Sequence, residues 1–206
     1  SVLIGVNSVG GFVGKNEGDI TNGYSMGSVK SSGDYVGGFV GDNRKNITNC
    51  YSTGSVESGG VYVGGLVGYN YNGTVLRSYW NKETSGQTSS AEGIGKTTAD
   101  MKKQATYVNW DFTTVWEIVE NVTYPYLRGF PPTATITILG NAELSIECKS
   151  EYIDAGAIAN DTIEGDLTSE IQVVNNVNSS VVGDYTVVYS VMDSGGRTVT
   201  ATRTVH

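Results

Sequence analysis

Gly23-Tyr24-Ser25-Met26-Gly27 has the spacing G-x-S-x-G, in which a serine on a sharp strand-to-helix turn attacks an acyl carbon. Such a nucleophile needs an imidazole or an equivalent base beside Oγ, and donors for the oxyanion. The only histidine is His206, the last residue. A second stretch, Gly95-Lys96-Thr97 ahead of a helical pattern, has the look of a phosphate-binding loop. Ser90 stands where the first glycine of that loop is required, and the preceding residues are too polar for a buried strand. Neither stretch therefore predicts catalysis or nucleotide binding, and the expectation is a protein with no catalytic residues.

Two further sets of residues carry chemistry. Asp154, Asp161, Glu164, Asp166 and Asp193 sit in turn-rich sequence, and oxygen-rich loops can hold Ca²⁺. Their spacing is not that of an EF-hand, and solvated turn carboxylates are the commoner explanation, so no cofactor other than calcium is in question. Tyr24, Tyr51 and Tyr79 recur at a near-constant interval, as do Tyr35 and Tyr62. Aromatic rows stack on sugar rings, which makes these five a candidate glycan-binding face. They also form ladders that hold successive coils together, at roughly 0.5–1 kcal/mol per pair, and the ladder is the favoured reading. Sequons at Asn46, Asn72, Asn121, Asn160 and Asn178 say little in a chain so rich in Asn, Ser and Thr.

The elements that would position these residues repeat. "VGGFVG" occurs at 9–14 and 36–41 and returns as "VGGLVG" at 63–68, a period of 27 residues. "ITNGYSMGSV" (20–29) becomes "ITNCYSTGSV" (47–56) and then "TVLRSYW" (74–80), with one residue added. The serine motif is broken in the second copy, where Cys50 replaces Gly23, while the surrounding unit persists. Each unit has two short β-prone runs and no helical periodicity. Units this short bury a face only by stacking, with strands about 4.8 Å apart, so the expectation is a parallel β-solenoid. Its glycines suit corners of positive φ or corners too tight for a Cβ. Phe12, Phe39 and Leu66 form one inward ladder, or Val13, Val40 and Val67 do if the faces are reversed; the sequence leaves both open.

A solenoid end needs covering. Residues 97–107 read as the one helix, with Thr97 as N-cap, and 109–127 add Trp110, Phe112, Trp116, Ile118 and Tyr126. The expected organisation is repeats 9–35, 36–62 and 63 to about 85, then a cap over about 86–130. A second domain follows at 131–206. Pro131-Pro132 marks the boundary, where the charge also shifts, from a net of −1 over residues 1–130 to −7 over 131–206. Strand-like runs at 133–139, 143–148, 170–175, 184–193 and 197–205, with a turn at Ser194-Gly195-Gly196, indicate a small β-sandwich. Gly183-Asp184-Tyr185-x-Val187 has the form of a tyrosine corner. The fold class is all-β: a short capped parallel β-solenoid, then an Ig-like β-sandwich.

The VGGFVG and YSxGSV units resemble the GLUG-motif repeats of bacterial and archaeal surface proteins. The run from "YWNKETSGQ" to "TYPYL" is similar to the segment that often ends such arrays, so the resemblance covers residues 1–129. It implies large secreted or wall-attached proteins, many adhesin-like, one group with a protease domain that lies elsewhere. "YIDAGAIANDTIEGDLT" (152–168), "GDYTVVYSVMDSGGR" (183–197) and the later "RTV" resemble bacterial Ig-like domains of surface proteins and of one group of insecticidal crystal proteins. The usual pattern has Gly just before the first of these and Asp where Glu164 stands. Such domains imply spacers, with no enzymatic activity.

A net charge of −8 and a pI of about 4.6 exclude nucleic acid and anionic membrane as partners. No stretch is long and apolar enough to span a bilayer. Cys50 and Cys148 lie in different halves and read as buried free thiols. Ser1 is not an initiator Met and follows no signal peptide, and Ser1-Val2 align with Ser28-Val29. The sequence thus reads as a piece of a longer chain with further repeats upstream. The expected function is an extracellular, non-catalytic structural or adhesive module, secreted or attached to the cell wall. Its partners are a host or neighbouring-cell protein or glycan. The alternative is a carbohydrate-binding module that uses an aromatic face of the solenoid. A polysaccharide-active enzyme is disfavoured because Lys15, Asp42 and Tyr69 occupy one repeat position without keeping a charge.

Overall fold

The computed structural model describes residues 7–163, 165–193 and 196–206. It divides into two compact units, Ser1–Asn121 and Val122–His206, where the sequence places the boundary at Pro131-Pro132.

The first unit is built from coils. The second coil has five short strands, Tyr35–Gly37, Val40–Asn43, Ile47–Thr48, Tyr51–Ser52 and Val56–Ser58. Each lies parallel to its counterpart 27 residues earlier, for example Val36 beside Val9 and Tyr51 beside Tyr24. The register of 27 holds into the third coil as far as Asn70 beside Asn43. It then becomes 28, with Val75 beside Ile47, which places the added residue between Asn70 and Val75. Tyr79–Asn81 adds a rung beyond Tyr51–Ser52, and Ile94–Lys96 adds another after a shortened turn.

Two apolar clusters fill the coils. One comprises Phe39, Val40, Ile47, Cys50, Leu66, Val67 and Trp80, and the other Val9, Val29, Val36 and Val56. Phe39 and Val40 both point inward, as do Leu66 and Val67, so the two ladders left open by the sequence share one core. Phe39 lies in the bend between two strands, where the chain turns and strict alternation of faces lapses. Phe12, in the first coil, stacks on Phe39 at 4.8 Å yet remains 54% exposed.

Close approach explains the corner glycines. A Cβ on Gly38 would lie 2.2 Å from the Gly65 carbonyl of the next coil. Positive φ belongs elsewhere, to Asn22, Asn49 and Arg77 at one repeated turn. Asparagine tolerates that conformation because its short amide bonds locally.

Two short α-helices occur among the described residues, where the sequence predicts one. Lys82–Ser85 is N-capped by Asn81, whose side chain accepts from the Glu83 and Thr84 amides, and Gly86 closes it at φ 69°. Residues 89–91 then bond the edge of the third coil: the Gly65 amide donates to the Ser89 carbonyl and the Ala91 amide to the Val67 carbonyl. The helix expected over 97–107 starts as expected on the Thr97 cap but stops at Met101. Side chains take over its end: Thr106 Oγ1 donates to the Asp100 carbonyl and Tyr107 Oη to the Met101 carbonyl. Lys103 is extended, and Gln104–Thr106 forms a 3₁₀ turn.

The second unit has two sheets. Ala134–Ile138, Ala157–Asp161 and Gly165–Asp166 form an antiparallel sheet. The other runs Glu143–Leu144, Thr198–Val205, Tyr185–Met192 and Gln172–Asn175, with its first pair parallel. Ala134 and Ala159 of one sheet pack on Val191 and Val199 of the other, with Leu167. The strand expected over 143–148 shortens to Glu143–Leu144, and Ala157–Asp161 is a strand the sequence reading missed. The 194–196 turn lies mostly outside the described residues. Tyr185 Oη donates to the Val181 carbonyl at 2.9 Å, the tyrosine-corner bond.

Candidate functional site

Ser25 is buried, and its Oγ has no hydrogen-bond partner. It pairs with Ser52 on the next coil, whose Oγ donates to the Gly65 carbonyl at 2.6 Å. The first unit contains no histidine in its sequence, and His206, in the other unit, has Nδ1 2.7 Å from Asp184. Ser25 is a core rung, and its motif has no nucleophilic apparatus. Thr97, the last residue of the apparent phosphate loop, is spent as a helix cap.

The five tyrosines separate into two groups. Tyr24, Tyr51 and Tyr79 are successive rungs on one side of the coils. Tyr107, Trp110 and Trp116 pack against that side: Trp116 is 6.2 Å from both Tyr24 and Tyr51, and Tyr107 is 5.2 Å from Tyr79. Trp116 Nε1 donates to Asn22 Oδ1 in the first coil, and Trp110 Nε1 to the Arg77 carbonyl. The segment after the short helices thus runs back beside the coils as well as following them. Tyr51 and Tyr79 are buried beneath it and have no ring face open to a ligand, while Tyr24 is half-buried.

Tyr35 and Tyr62 lie elsewhere. With Tyr69 they form a cluster whose ring centroids are 5.0–5.4 Å apart. Tyr62 is exposed, and Tyr35 and Tyr69 are half-exposed. Asp42 is the register neighbour of Tyr69. Its Oδ2 accepts from Arg44 Nε at 3.0 Å, while its buried Oδ1 has no donor. The Arg44 guanidinium in turn lies 5.4 Å from the Tyr71 ring centre. Tyr69, Tyr71, Arg44 and Asp42 were not singled out as site residues from the sequence. The detectable signal was their variation at positions 15/42/69 and 17/44/71 of an otherwise regular repeat.

Among the described residues no three His, Cys, Asp or Glu side chains are placed to hold a metal ion, and Glu164 lies outside the described residues. Asp154 accepts from Tyr152 Oη and Tyr189 Oη, each within 2.8 Å, and pairs with buried Arg203. Burial opposes ionisation there, but those hydroxyl donors and the Arg203 charge outweigh it and hold the Asp154 carboxyl below its ordinary value. Asp161 accepts from the Ile163 amide, Asp166 from the Thr168 amide, and Asp193 from the Arg197 amide and Nε.

Cys50 is buried, as expected, and desolvation pushes its thiol up to about 11, against the lowering effect of nearby backbone groups. Cys148, expected buried, is exposed, because the strand that would have carried it inward ends at Leu144.

The family described as "Bacterial surface protein, Ig-like domain" matches residues 136–206, and "The GLUG motif" matches residues 32–57. A protein of Evansella cellulosilytica named as a Gly-rich membrane protein is 36% identical over 121 residues, 57% of this chain. The chain spans 11% of that relative's length. The crystal structure of a lipoprotein from Bacteroides thetaiotaomicron aligns at 26% identity and a TM-score of 0.33, over 36% of this chain and 37% of that one. Neither matched family is an enzyme family, and no helix of the described residues is long and apolar enough to cross a membrane. The chain therefore carries a GLUG motif followed by a bacterial surface protein Ig-like domain, in that order.

Proposed function

We propose that this chain is a non-catalytic structural and adhesive module of a cell-surface or secreted protein, working outside the cell. The observation that carries the reading is the GLUG motif, set in parallel coils, ahead of a surface-protein Ig-like domain. Ser25 without a base supports the non-catalytic part. The coils supply a rigid lateral surface, and the sandwich acts as a spacer. Its partners are a protein or glycan on a host or neighbouring cell, and further repeats of its own chain upstream.

The test uses intact cells of the source organism and an antibody against this chain. Labelling without permeabilisation is expected; labelling only after permeabilisation removes the reading. For the adhesive part, beads coated with the whole chain should be retained by cell layers better than beads coated with residues 131–206. Equal retention would assign the solenoid no adhesive role.

A second reading, carbohydrate binding, is favoured by one observation. The Tyr35, Tyr62 and Tyr69 cluster keeps an exposed ring, where the Tyr51 and Tyr79 rungs are covered.

A further inference from the structure

We propose that Tyr62, Tyr69, Arg44 and Tyr71 form a binding site for a neutral saccharide chain, an inference that rests on the carbohydrate reading. The argument begins with what coil stacking requires. Positions that stacking depends on repeat from coil to coil: Val13, Val40 and Val67 inside, and Asn16, Asn43 and Asn70 bonded in a row. Positions 15/42/69 read Lys, Asp, Tyr and positions 17/44/71 read Glu, Arg, Tyr. Stacking does not dictate these residues, because the same backbone pairing holds Lys15, Asp42 and Tyr69 alike.

The variable positions assemble a coherent surface only on the second and third coils. Tyr62 and Tyr69 lie with ring centres 5.0 Å apart, braced by Tyr35. Next to them, Asp42 Oδ2 fixes Arg44 Nε, and the guanidinium is held 5.4 Å from the Tyr71 ring centre. Arg44 thus presents its guanidinium in a fixed orientation beside the Tyr71 ring. Tyr62 and Tyr71 are 44% and 52% exposed. On the first coil the equivalent residues, Lys15 and Glu17, simply pair with each other.

Exposed tyrosine rings with an oriented hydrogen-bond donor beside one of them match a pyranose, which has C–H faces and a rim of hydroxyls. Arg44, the cation of the site, is already paired with Asp42, so the site offers a polyanion no net positive charge and a neutral chain is the fitting class.

The test is affinity electrophoresis of the full chain in gels cast with hydroxyethylcellulose, galactomannan or soluble starch, with alginate as the polyanionic comparison. Retardation by at least one neutral polysaccharide is expected. Tyr62→Ala and Tyr71→Ala should each weaken it about 10-fold, and Arg44→Gln several-fold, with melting points within ~2 °C of the parent. Phe130→Ala, which removes an exposed ring in the other unit, should leave retardation unchanged. Three results overturn the proposal: no retardation by any neutral polymer, retardation by alginate alone, or retardation that survives both tyrosine substitutions. If coated beads still adhere to cells in any of those cases, the saccharide site falls while the adhesive module stands.

Discussion

Ser25 and Ser52 occupy one repeat position on successive coils, with opposite hydrogen-bond fates. Ser52 Oγ donates to the Gly65 carbonyl, whereas Ser25 Oγ is buried without a partner. Ser52→Ala should therefore lower stability by ~1 kcal/mol in urea titrations, and Ser25→Ala by less than about 0.5 kcal/mol. A large loss at Ser25 would mean that its hydroxyl does more than fill space. The two cysteines differ as sharply. Iodoacetamide at about pH 8 should label Cys148 in the folded chain and spare Cys50, whose thiol is buried and protonated. Because folding raises the Cys50 value from its usual 9.0 to about 11, the folded state holds a proton there that the unfolded chain has released. Its contribution is thus complete below about pH 9 and is lost as pH rises toward 11. A Cys50→Ala chain should show a shallower alkaline decline in melting temperature than the parent.

Among the elements, the asparagine row shows how coils are tied together. Asn16 Nδ2 donates to Asn43 Oδ1 at 2.8 Å, Asn43 Nδ2 to Asn70 Oδ1 at 2.7 Å, and Asn70 Nδ2 to the Gly73 carbonyl. Asn43 has neighbours on both sides and no solvent exposure. Asn43→Ala should cost about 2–3 kcal/mol, and Asn16→Ala about half as much, because replacing the middle rung strands partners on both sides, buried Asn16 and half-buried Asn70. Equal losses in chemical denaturation would show that the rungs act independently. The segment packed against the Tyr24, Tyr51 and Tyr79 side depends on Trp116, which is fully buried. Trp116→Ala should cost roughly 3–5 kcal/mol and should expose Tyr51, detectable as increased tyrosine quenching by acrylamide. Unchanged quenching would mean that the remaining rings suffice to cover Tyr51.

For the whole molecule, stability is divided between a stacked solenoid and a sandwich, each with its own core. The sandwich half holds most of the negative charge, yet its buried cation, Arg203, is enclosed by Asp154, Tyr189 and the carbonyls of Leu139 and Asn141. Removing the carboxylate leaves that cation unpaired, so Asp154→Ala should destabilise the second unit by about 3–5 kcal/mol. The depressed Asp154 value also sets an acid limit. Its contribution is present above the ordinary value of 3.8 and disappears as pH falls through the lower folded value. Melting of residues 131–206 should accordingly weaken below about pH 4, and Asp154→Asn should flatten that limb; an identical acid limb in both chains would sink the assignment.

The coil period, the added residue in the third coil, the Thr97 cap and the tyrosine corner were all readable from the sequence, because each depends on local spacing. That the first unit has no histidine to serve Ser25 is a matter of composition, since the single histidine is the last residue. Only the tertiary structure could decide which apolar positions face inward, because a bend at Phe39 cancels the alternation of a strand. It also separated the tyrosines. Five rings with similar spacing became a covered ladder and an open cluster, according to where residues 107–116 fold back. Repeat spacing dictates which residues stack, but contacts between residues 94 positions apart, such as Trp116 on Asn22, determine which of those stacks meets solvent.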